Sequence, residues 1–403
     1  MTNKQAAIQI IRILRKAGFE AMLAGGCVRD MLLGKKPKDY DVVTSAKPDE
    51  ICGIFRHTIK VGAKFGVIIV LIDSQQIEVA TFRAEEGYSD GRRPDKVRFT
   101  SDKEDALRRD FTINGMFYDP LKKEVIDYVE GQKDLKRKII RTIGKAEERF
   151  SEDYLRMLRV VRFAAQLDFK VDKNTLDAVQ NHCRQITKIS GERIAMELES
   201  LFATAGREKG VQLLIETALA EQIFPVFKDK NTREFAAKIF EYLSEEITFE
   251  LGLAAFFAAC QTGDAMKNLG ILKLSRNQLK YVKFLLEKRS FLLSELSLAQ
   301  LKLIVSEPYF EDLYSLQKAV QKVKGESISA LLAFRRRAKA IMGKELRPKP
   351  LLNGFELIGL GAQPGPQVGL VSKELYIEQL SERVGTKQEA EIWVRNWLKK
   401  HKG

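Results

Sequence analysis

The sequence predicts an α+β protein in which a β-rich amino-terminal part is followed by a long helical remainder. Short apolar runs that alternate or are β-branched, as strands are, recur up to about residue 143. From Ala146 to about Trp397 the apolar residues instead recur at helical spacing. A chain of 403 residues is too long for one ordinary core, so we expect two to four domains.

The first elements surround a pair of glycines. An amphipathic helix is predicted over residues 1–17, a short strand over Ala21–Ala24, and a helix over Val28–Leu33, with Gly25-Gly26 between the strand and the second helix. Glycine lets the backbone approach an anion, and a helix N-terminus supplies free N–H groups and a partial positive charge. We therefore expect a phosphate-binding turn here.

Two aspartates follow at the spacing of a strand. Asp39 and Asp41 occupy alternate positions of the next predicted strand, so their carboxylates should project from the same face. Two such carboxylates repel each other unless a cation lies between them, and Mg²⁺ prefers oxygen ligands and bridges to substrate phosphates. Either pattern alone is commonly a plain turn or a solvated strand end. Together, in one strand–turn–helix–strand frame, they favour metal-assisted nucleotidyl transfer.

The remaining β-rich elements supply a third acidic candidate and a long polar segment. A helix is predicted from Pro48 to Phe55, followed by strands over residues 59–61, 67–72 and 77–82. Glu78 lies inside the last of these strands, where a charge is costly unless it is paired or faces a site, so we expect it near the two aspartates. Residues 83–96 are too polar and too long for a hairpin turn, and we expect a loop that closes over substrate.

A charged segment then offers candidate ligands for a nucleotide. A short helix leads into Arg108-Arg109-Asp110, and a strand is predicted over Phe111–Tyr118. The guanidinium of Arg109 suits phosphate geometry, while Asp110 and Asn114 could accept hydrogen bonds from ribose hydroxyls. A surface ion pair is the simpler interpretation of the Arg-Arg-Asp run taken alone.

The first helix of the helical part is predicted to start at Glu152, with Ser151 as its N-cap. Farther along, Arg193 and Glu197 lie one turn apart and are expected to brace one helix against its neighbour. The buried stripe of the first helix is expected to contain Leu155, Leu158, Val161 and Phe163.

The polar face of that helix carries a candidate base-reading pair. Asp153 and Arg156 lie three residues apart, and Arg159 and Arg162 continue the basic edge. A carboxylate beside a guanidinium offers an acceptor next to donors, which matches the edge of a nucleobase. An ordinary structural ion pair explains the same spacing equally well.

Composition restricts the partners and the compartment. A net charge of +14 and a pI near 9.4 indicate a polyanionic partner, with nucleic acid favoured over a membrane. The four cysteines have no zinc spacing, and the three histidines are far apart, which argues against histidine-based metal chemistry. With no signal-like start and no membrane-length apolar run, we expect a cytoplasmic protein with no membrane or protein partner.

Together these motifs resemble those of the class II tRNA nucleotidyltransferases, the bacterial-type CCA-adding enzymes and their poly(A) polymerase relatives. The resemblance covers residues 20–205 most specifically. The matching stretches are Gly25-Gly26-Cys27-Val28-Arg29-Asp30, Asp39-Tyr40-Asp41, Arg108 to Asn114, Glu152-Asp153-x-x-Arg156, and Arg193 to Leu198.

The resemblance implies a seahorse-shaped fold. It also implies template-independent addition of C, C and A to the 3′ end of tRNA from CTP and ATP, with release of pyrophosphate. Two bound Mg²⁺ ions are implied as cofactors. The implied parts are a nucleotidyltransferase head with a mixed sheet (1–143), a base-recognising neck (144–205), a body (206–290) and a tRNA-binding tail (291–403). The resemblance implies that Asp39 and Asp41 are catalytic and bind the metal, and Glu78 joins them as a catalytic candidate because of its place inside a strand. It also implies that Gly25, Gly26 and Arg29 hold the triphosphate, that Arg109 and Asp110 fix the sugar, and that Asp153 and Arg156 read the base. The charged segments add three nucleotide-binding candidates, Asn114, Arg159 and Arg162.

Several activities stay open at this point. Glu85 and Asp90 to Pro94 resemble the flexible loop of enzymes that add the final A, which argues against CC-only addition. Full CCA addition, A-only addition and poly(A) addition remain, as does a non-catalytic RNA-binding protein on the same fold. The Gly62–Val67 turn lacks the His-Gly-Thr that many family members carry there, so its role is open.

Overall fold

A computed structural model describes residues 1–87, 96–343 and 345–401. The chain forms two compact units. One consists of Met1–Arg233 with Lys267–Leu274, and the other consists of Glu234–Met266 with the chain from Ser275 onward. The division into head, neck, body and tail stays a prediction.

The first unit contains a mixed seven-stranded sheet in the order β3-β4-β5-β2-β1-β8-β9, and two two-stranded pairs, β6-β7 and β10-β11. The predicted α+β class with a mixed-sheet amino-terminal part is confirmed. The strands are β1 Ala21–Ala24, β2 Asp41–Thr44, β3 Thr58–Gly62, β4 Val67–Ile72, β5 Gln75–Thr81, β6 Arg83–Glu86, β7 Lys96–Phe99, β8 Phe117–Asp119, β9 Glu124–Ile126, β10 Ile139–Ile140 and β11 Lys170–Val171.

Helices cover the sheet and continue the chain. Up to residue 239 they are α1 Asn3–Lys16, α2 Gly26–Leu32, α3 Pro48–Ile54, α4 Asp102–Leu107, α5 Gly131–Arg137, α6 Ala146–Glu152, α7 Leu155–Leu167, α8 Lys173–His182, α9 Gly191–Phe202, α10 Arg207–Glu216, α11 Leu219–Ile223 and α12 Lys230–Ile239. Beyond it they are α13 Phe249–Phe256, α14 Thr262–Leu269, α15 Arg276–Lys288, α16 Leu298–Val305, α17 Phe310–Lys324, α18 Ser329–Ile341, α19 Gly354–Gly359, α20 Pro366–Leu380 and α21 Lys387–Lys400.

The register of the sheet brings the predicted motifs to one edge. β1 pairs antiparallel with β2, so Ala24, the last residue before the glycine turn, lies opposite Asp41. β2 pairs in parallel with β5, with Val42 opposite Val79, which puts Glu78 beside the start of β2. The turn and two of the acidic residues are thereby close in space although they are distant in sequence.

Three local predictions are wrong. Residues 83–96 are not a loop throughout, because Arg83–Glu86 and Lys96–Phe99 pair as an antiparallel ribbon; residues 88–95, including the predicted Asp90 to Pro94, lie outside the described residues. Phe111–Tyr118 is not a continuous strand, because Thr112–Asn114 forms a 3₁₀ turn before β8. Asp39 precedes β2 instead of lying within it.

The second unit is helical. Its carboxy-terminal helices enclose a small core, and Trp397 donates an indole hydrogen bond to Glu374 Oε2 at 2.7 Å. No helix within the described ranges is both long and apolar enough to cross a bilayer. The buried residues of that core are Leu352, Leu357, Ala362, Val371, Leu375, Val384, Ala390, Val394, Trp397 and Leu398.

Candidate active site

A polar cavity of about 530 Å³ lies in the first unit, where the glycine turn, the segment after α4 and the start of α7 meet. It gathers every predicted site residue except Asp39 and Glu78. Its lining consists of Gly25, Gly26, Arg29, Asp41, Arg108, Arg109, Asp110, Asn114, Asp153, Leu155, Arg156, Arg159, Arg162, Phe163, Gln166 and Arg193.

The glycine turn is shaped by its neighbours. Gly25 has φ +72°, a left-handed conformation that favours glycine, and its N–H donates to Met116 O at 3.2 Å. A Cβ at this position would lie 3.0 Å from Arg109 Nη1. The backbone conformation therefore favours glycine at position 25, and a Cβ there would press on Arg109, which also lines the cavity.

The predicted acidic residues are neighbours, although only Asp41 lines the cavity. Desolvation by the surrounding protein raises the pKa of Asp41 to about 6, and the negative charges of Glu78 and Asp39 add to this rise while Arg109 opposes it. Asp39 and Glu78 are exposed, outside the cavity lining. Negative charge is thus concentrated at the start of β2, beside a cavity that is otherwise strongly basic.

Two arginines of the cavity are fixed by hydrogen bonds. Arg29 donates from Nη1 to Asn114 Oδ1 at 2.8 Å and from Nε to Asp30 Oδ1 at 2.8 Å. Arg109 donates from Nη1 to the carbonyl oxygen of Asn114 at 3.4 Å. The predicted ligand Asn114 therefore holds both arginines, and this is possible because it lies in the 3₁₀ turn.

Asp105 is a central residue that sequence reasoning missed. Its fully buried carboxylate accepts from Arg109 Nε and Nη2 at 3.1 and 3.0 Å, and from Arg108 Nε and Nη2 at 2.9 and 2.7 Å. Burial acts to raise the pKa of Asp105, but the charges and hydrogen bonds of both arginines outweigh it, so the pKa lies below its usual value. The sequence did contain one signal, because Asp105 lies three residues before Arg108 and four before Arg109. Such spacings are common on exposed helices, so the signal did not stand out.

Asp110 lines the cavity but is already engaged. Its Oδ2 accepts from Arg159 Nε at 2.9 Å and Nη2 at 2.6 Å, and its Oδ1 accepts from Asn114 Nδ2 at 3.2 Å. Burial again opposes ionisation, yet the Arg159 charge and these hydrogen bonds hold the pKa of Asp110 below its usual value. The Arg-Arg-Asp run is therefore part of a buried charge network that lines the cavity.

The predicted helix around Asp153 is interrupted. α6 ends at Glu152 and α7 begins at Leu155, and Asp153 lies between them in extended conformation with its Oδ1 accepting from Leu155 N at 3.0 Å. Ser151 is inside α6, where it donates to Glu147 O at 2.9 Å, so its prediction as an N-cap is wrong.

The side chains of Asp153 and Arg156 each have a partner of opposite charge. Arg193 donates from Nη1 and Nη2 to the two oxygens of Asp153 at 3.1 and 2.6 Å. Arg156 pairs with Glu152 and donates to Arg149 O at 2.9 Å. Both side chains line the cavity, and each is oriented by a residue of opposite charge.

Phe163 is also more than the core residue that the sequence predicted. Its ring centroid lies 4.1 Å from the guanidinium carbon of Arg162 and 5.3 Å from those of Arg29 and Arg159. The negative face of an aromatic ring attracts cations, so the ring offsets some of the repulsion among these guanidinium groups. Arg162 additionally donates from Nε to Glu197 Oε2 at 2.6 Å. The predicted bracing role of Glu197 is confirmed.

Comparison with protein-family models gives two matches. Residues 21–141 match the poly A polymerase head domain, and residues 168–231 match a model described as a probable RNA and SrmB-binding site of polymerase A. The first match contains the glycine turn, the aspartates and the Arg-Arg-Asp run.

Several relatives are CCA-adding enzymes. The chain is 34% identical to that of Staphylococcus aureus strain MSSA476 over 405 residues, which is 98% of each chain. It is 42% identical to that of Ligilactobacillus salivarius over 68% of each chain. The match to the Lactobacillus johnsonii enzyme, at 43% identity, spans 56% of that protein, so the chain spans about half the length of some of the curated relatives it matches.

Solved structures agree with this result. The fold is similar to that of the Bacillus stearothermophilus CCA-adding enzyme in complex with CTP, at 28% identity and a TM-score of 0.83, over 99% of this chain and 98% of that one. The Thermotoga maritima CCA-adding enzyme complexed with tRNA shares the fold, with 20% identity, 99% and 96% coverage and a TM-score of 0.69. The chain therefore belongs to the class II CCA-adding enzyme family of nucleotidyltransferases.

Proposed function

We propose that the chain adds C, C and A to the 3′ end of tRNA, using CTP and ATP and releasing pyrophosphate. The observation that carries this proposal is the cavity in which the glycine turn and Asp41 face a cluster of arginines and the Asp153–Arg156 segment. The reaction needs a place for a triphosphate, a place for a base and carboxylates near the α-phosphate. The cavity residues suit the first two, and Asp41 in the cavity with Asp39 beside it suits the third.

The arginines of the cavity suit the triphosphate. Arg29, Arg109, Arg159 and Arg162 all line it, and a guanidinium neutralises and orients phosphate oxygens through paired N–H donors. Because Asp105, Asp110, Asn114 and Glu197 already fix these side chains, little ordering entropy is lost on binding.

The base is read by Asp153 and Arg156 in this proposal. Asp153 offers carboxylate oxygens and Arg156 offers N–H donors, which are the complements of groups on the edges of cytosine and adenine. Their present partners, Arg193 and Glu152, set the orientation of the two side chains. Selection among nucleotides then follows from hydrogen bonding, with no nucleic-acid template.

The acidic residues fit Mg²⁺. Within the described residues, no group of three or more His, Cys, Asp or Glu side chains is placed to hold a metal ion. Mg²⁺ does not require one, because it is typically bound by one or two carboxylates together with substrate phosphates. Desolvation and, after it, the negative charges of Glu78 and Asp39 raise the pKa of Asp41, and a cation would compensate those charges. Asp39 and Asp41 would hold the ion.

The chemistry is an in-line displacement at the α-phosphorus. The terminal 3′-hydroxyl of the RNA loses its proton to solvent and its oxygen forms a bond to the α-phosphorus. The bond from that phosphorus to the oxygen shared with the β-phosphate breaks, and pyrophosphate leaves with that oxygen. Bound Mg²⁺ would supply Lewis-acid stabilisation of charge on the phosphoryl oxygens. The cavity residues orient the triphosphate and neutralise its negative charge.

The decisive experiment supplies tRNA transcripts that end before CCA, after the first C or after CC, each with CTP, ATP or both. Full CCA addition predicts extension of all three to one common length. Extension only of the transcript ending in CC would indicate A-only addition, and long A tails would indicate a poly(A) polymerase. No incorporation of labelled nucleotide would favour a non-catalytic RNA-binding protein.

A matched pair of variants tests the metal residues. D41N should lower kcat at least about a thousand-fold with tRNA binding retained, because metal stabilisation of transition-state charge contributes several kcal/mol. D49N removes the same charge from a side chain that is 95% exposed and should leave kcat unchanged. Normal extension by D41N would contradict the assignment.

We also propose a cytoplasmic location. All four cysteines are free thiols, as is usual in a reducing compartment.

A further inference from the structure

A second cavity, of about 730 Å³, lies beside the acidic segment and plays no part in the nucleotide site described above. Lys4, Lys35, Lys36 and Lys38 contribute to its lining, together with Met31 and Tyr40, and no acidic residue lines it. All four lysines are exposed. We refer to it as the lysine groove.

The lysines of the groove are available to a ligand. Across the described part of the chain, none of the four forms an ion pair, although many of the other basic residues do. Four cations around one depression raise the local potential for any polyanion and attract it. Their concentration here is not balanced by carboxylates of the lining.

The groove and the nucleotide cavity flank the same backbone segment. Asp41 lines the nucleotide cavity, whereas the adjacent Tyr40 lines the lysine groove. Helix α2 contributes Arg29 to the nucleotide cavity and Met31 to the groove. The residues proposed to hold Mg²⁺ therefore lie at the boundary between the two cavities.

The geometry of the reaction restricts where the RNA strand can lie relative to the triphosphate. In an in-line displacement the attacking oxygen and the leaving pyrophosphate are on opposite sides of the phosphorus atom. When the triphosphate occupies the arginine cavity, the RNA strand that carries the attacking hydroxyl must lead away from it. Lys38 and Tyr40, the chain neighbours of Asp39, line the lysine groove, so the groove adjoins the segment that carries both aspartates.

We propose that the lysine groove binds the backbone of the RNA strand being extended, just upstream of its 3′ terminus. This rests on the proposed function, and it names the surface that positions the acceptor strand. Met31 and the largely buried Tyr40 contribute apolar lining, and the exposed lysines supply the positive charges that hold an RNA backbone.

The test uses the full chain and a short RNA hairpin that consists of an acceptor stem with an unpaired 3′ end lacking CCA. Such an RNA has no tRNA elbow, so contacts elsewhere on tRNA cannot mask the effect. Direct binding is measured without nucleotide at several salt concentrations, and KM for CTP is measured separately. K35A/K36A/K38A should weaken hairpin binding at least about tenfold near 0.1 M salt, because each lysine lost removes a phosphate contact.

The salt dependence gives a second readout. Three lost contacts to a single strand should reduce the slope of log affinity against log salt by about 2, at roughly 0.7 per phosphate. KM for CTP should stay unchanged. K35R/K36R/K38R keeps the charge and should restore binding, which excludes misfolding as the cause.

A matched control removes three exposed lysines elsewhere in the same unit, K16A/K122A/K136A. If the control variant weakens hairpin binding equally, the loss of net charge alone explains the effect, and the proposal is overturned. Unchanged hairpin affinity and slope in K35A/K36A/K38A would also overturn it, and a raised KM for CTP with normal hairpin binding would assign the groove to the nucleotide. Because binding is measured without chemistry, failure of the proposed function would appear separately, as wild-type protein that binds the hairpin but does not extend it.

Discussion

The buried carboxylate of Asp105 should support both the stability of the first unit and the affinity for nucleotide. It accepts hydrogen bonds from Arg108 and Arg109, and these arginine side chains are only 17% and 18% exposed. In D105N one carboxylate oxygen becomes an N–H₂ donor facing a guanidinium, so at least one buried cation loses its partner. Breaking a buried pair in this way costs about 3–5 kcal/mol, which corresponds to roughly 6–20 °C in Tm for a unit of this size.

The assay combines calorimetric unfolding with steady-state kinetics. D105N should lower the unfolding temperature and raise KM for CTP and ATP, because Arg109 is released from its position in the cavity. E104Q is the control, since it removes the neighbouring charge from the same helix at an exposed position. A D105N protein that unfolds at the same temperature as E104Q and keeps a normal KM would refute this reasoning.

The pH dependence provides an independent check on Asp105. The arginines hold its folded pKa below the usual value of 3.8, so the folded state binds this proton less readily than the unfolded state does. Its contribution to stability is therefore fully present above the unfolded pKa and is lost as pH falls through the folded pKa. D105N should show a smaller loss of stability than wild type as pH falls below about 4. Parallel acid profiles for the two proteins would contradict the assigned ionisation.

Three further outcomes follow from the geometry. G25A should raise KM for nucleotide at least about tenfold, because the new Cβ would lie 3.0 Å from Arg109 Nη1. The backbone has φ +72°, and residues with a Cβ adopt that conformation at a cost of about 1 kcal/mol or more. An unchanged KM would contradict this reasoning, since it would show that the turn can relax. F163L removes the ring but keeps an apolar side chain. KM for CTP should rise several-fold with little change in kcat, because the guanidinium groups lose an attraction of about 0.5–2 kcal/mol. F163Y keeps the ring and should behave like wild type; an equal rise in KM in both variants would mean that the changed size of the side chain, and not the loss of the ring, is the cause. Burial raises the pKa of the Cys27 thiol to about 11, so Cys27 should resist iodoacetamide at pH 8 in the folded protein and react after unfolding; rapid labelling of native protein, read by peptide mass, would be inconsistent with that environment.

Local sequence patterns predicted the elements that carry the glycine turn and the apolar stripe of α7. Leu155, Leu158, Val161 and Phe163 are all buried, as their helical spacing predicted. Such patterns succeed where a single helix or strand faces one core, because periodicity then reports burial directly. They failed at Asp39, Ser151 and Phe111–Tyr118, where caps and 3₁₀ turns set the element boundaries.

The partners of the charged residues could not be read from the sequence. Helical spacing brings Asp153 and Arg156 together, but it does not reveal Arg193 and Glu152, the partners that the tertiary structure supplies. From the sequence one cannot tell which of several opposite charges forms the ion pair, since the pairing depends on packing between helices that are far apart along the chain. The roles of Asp105 and Phe163 at the cavity were hidden for the same reason.

By itself, the sequence determined the fold class, because helical and strand periodicity are local properties, and its motifs carried the resemblance to the family. Only the tertiary structure decided which arginines share a carboxylate, which side chains line each cavity and that two cavities flank the Asp39–Asp41 segment. The pairing of β2 with β1 and β5 brings together residues that are far apart in the chain, and a local sequence pattern cannot predict such pairings.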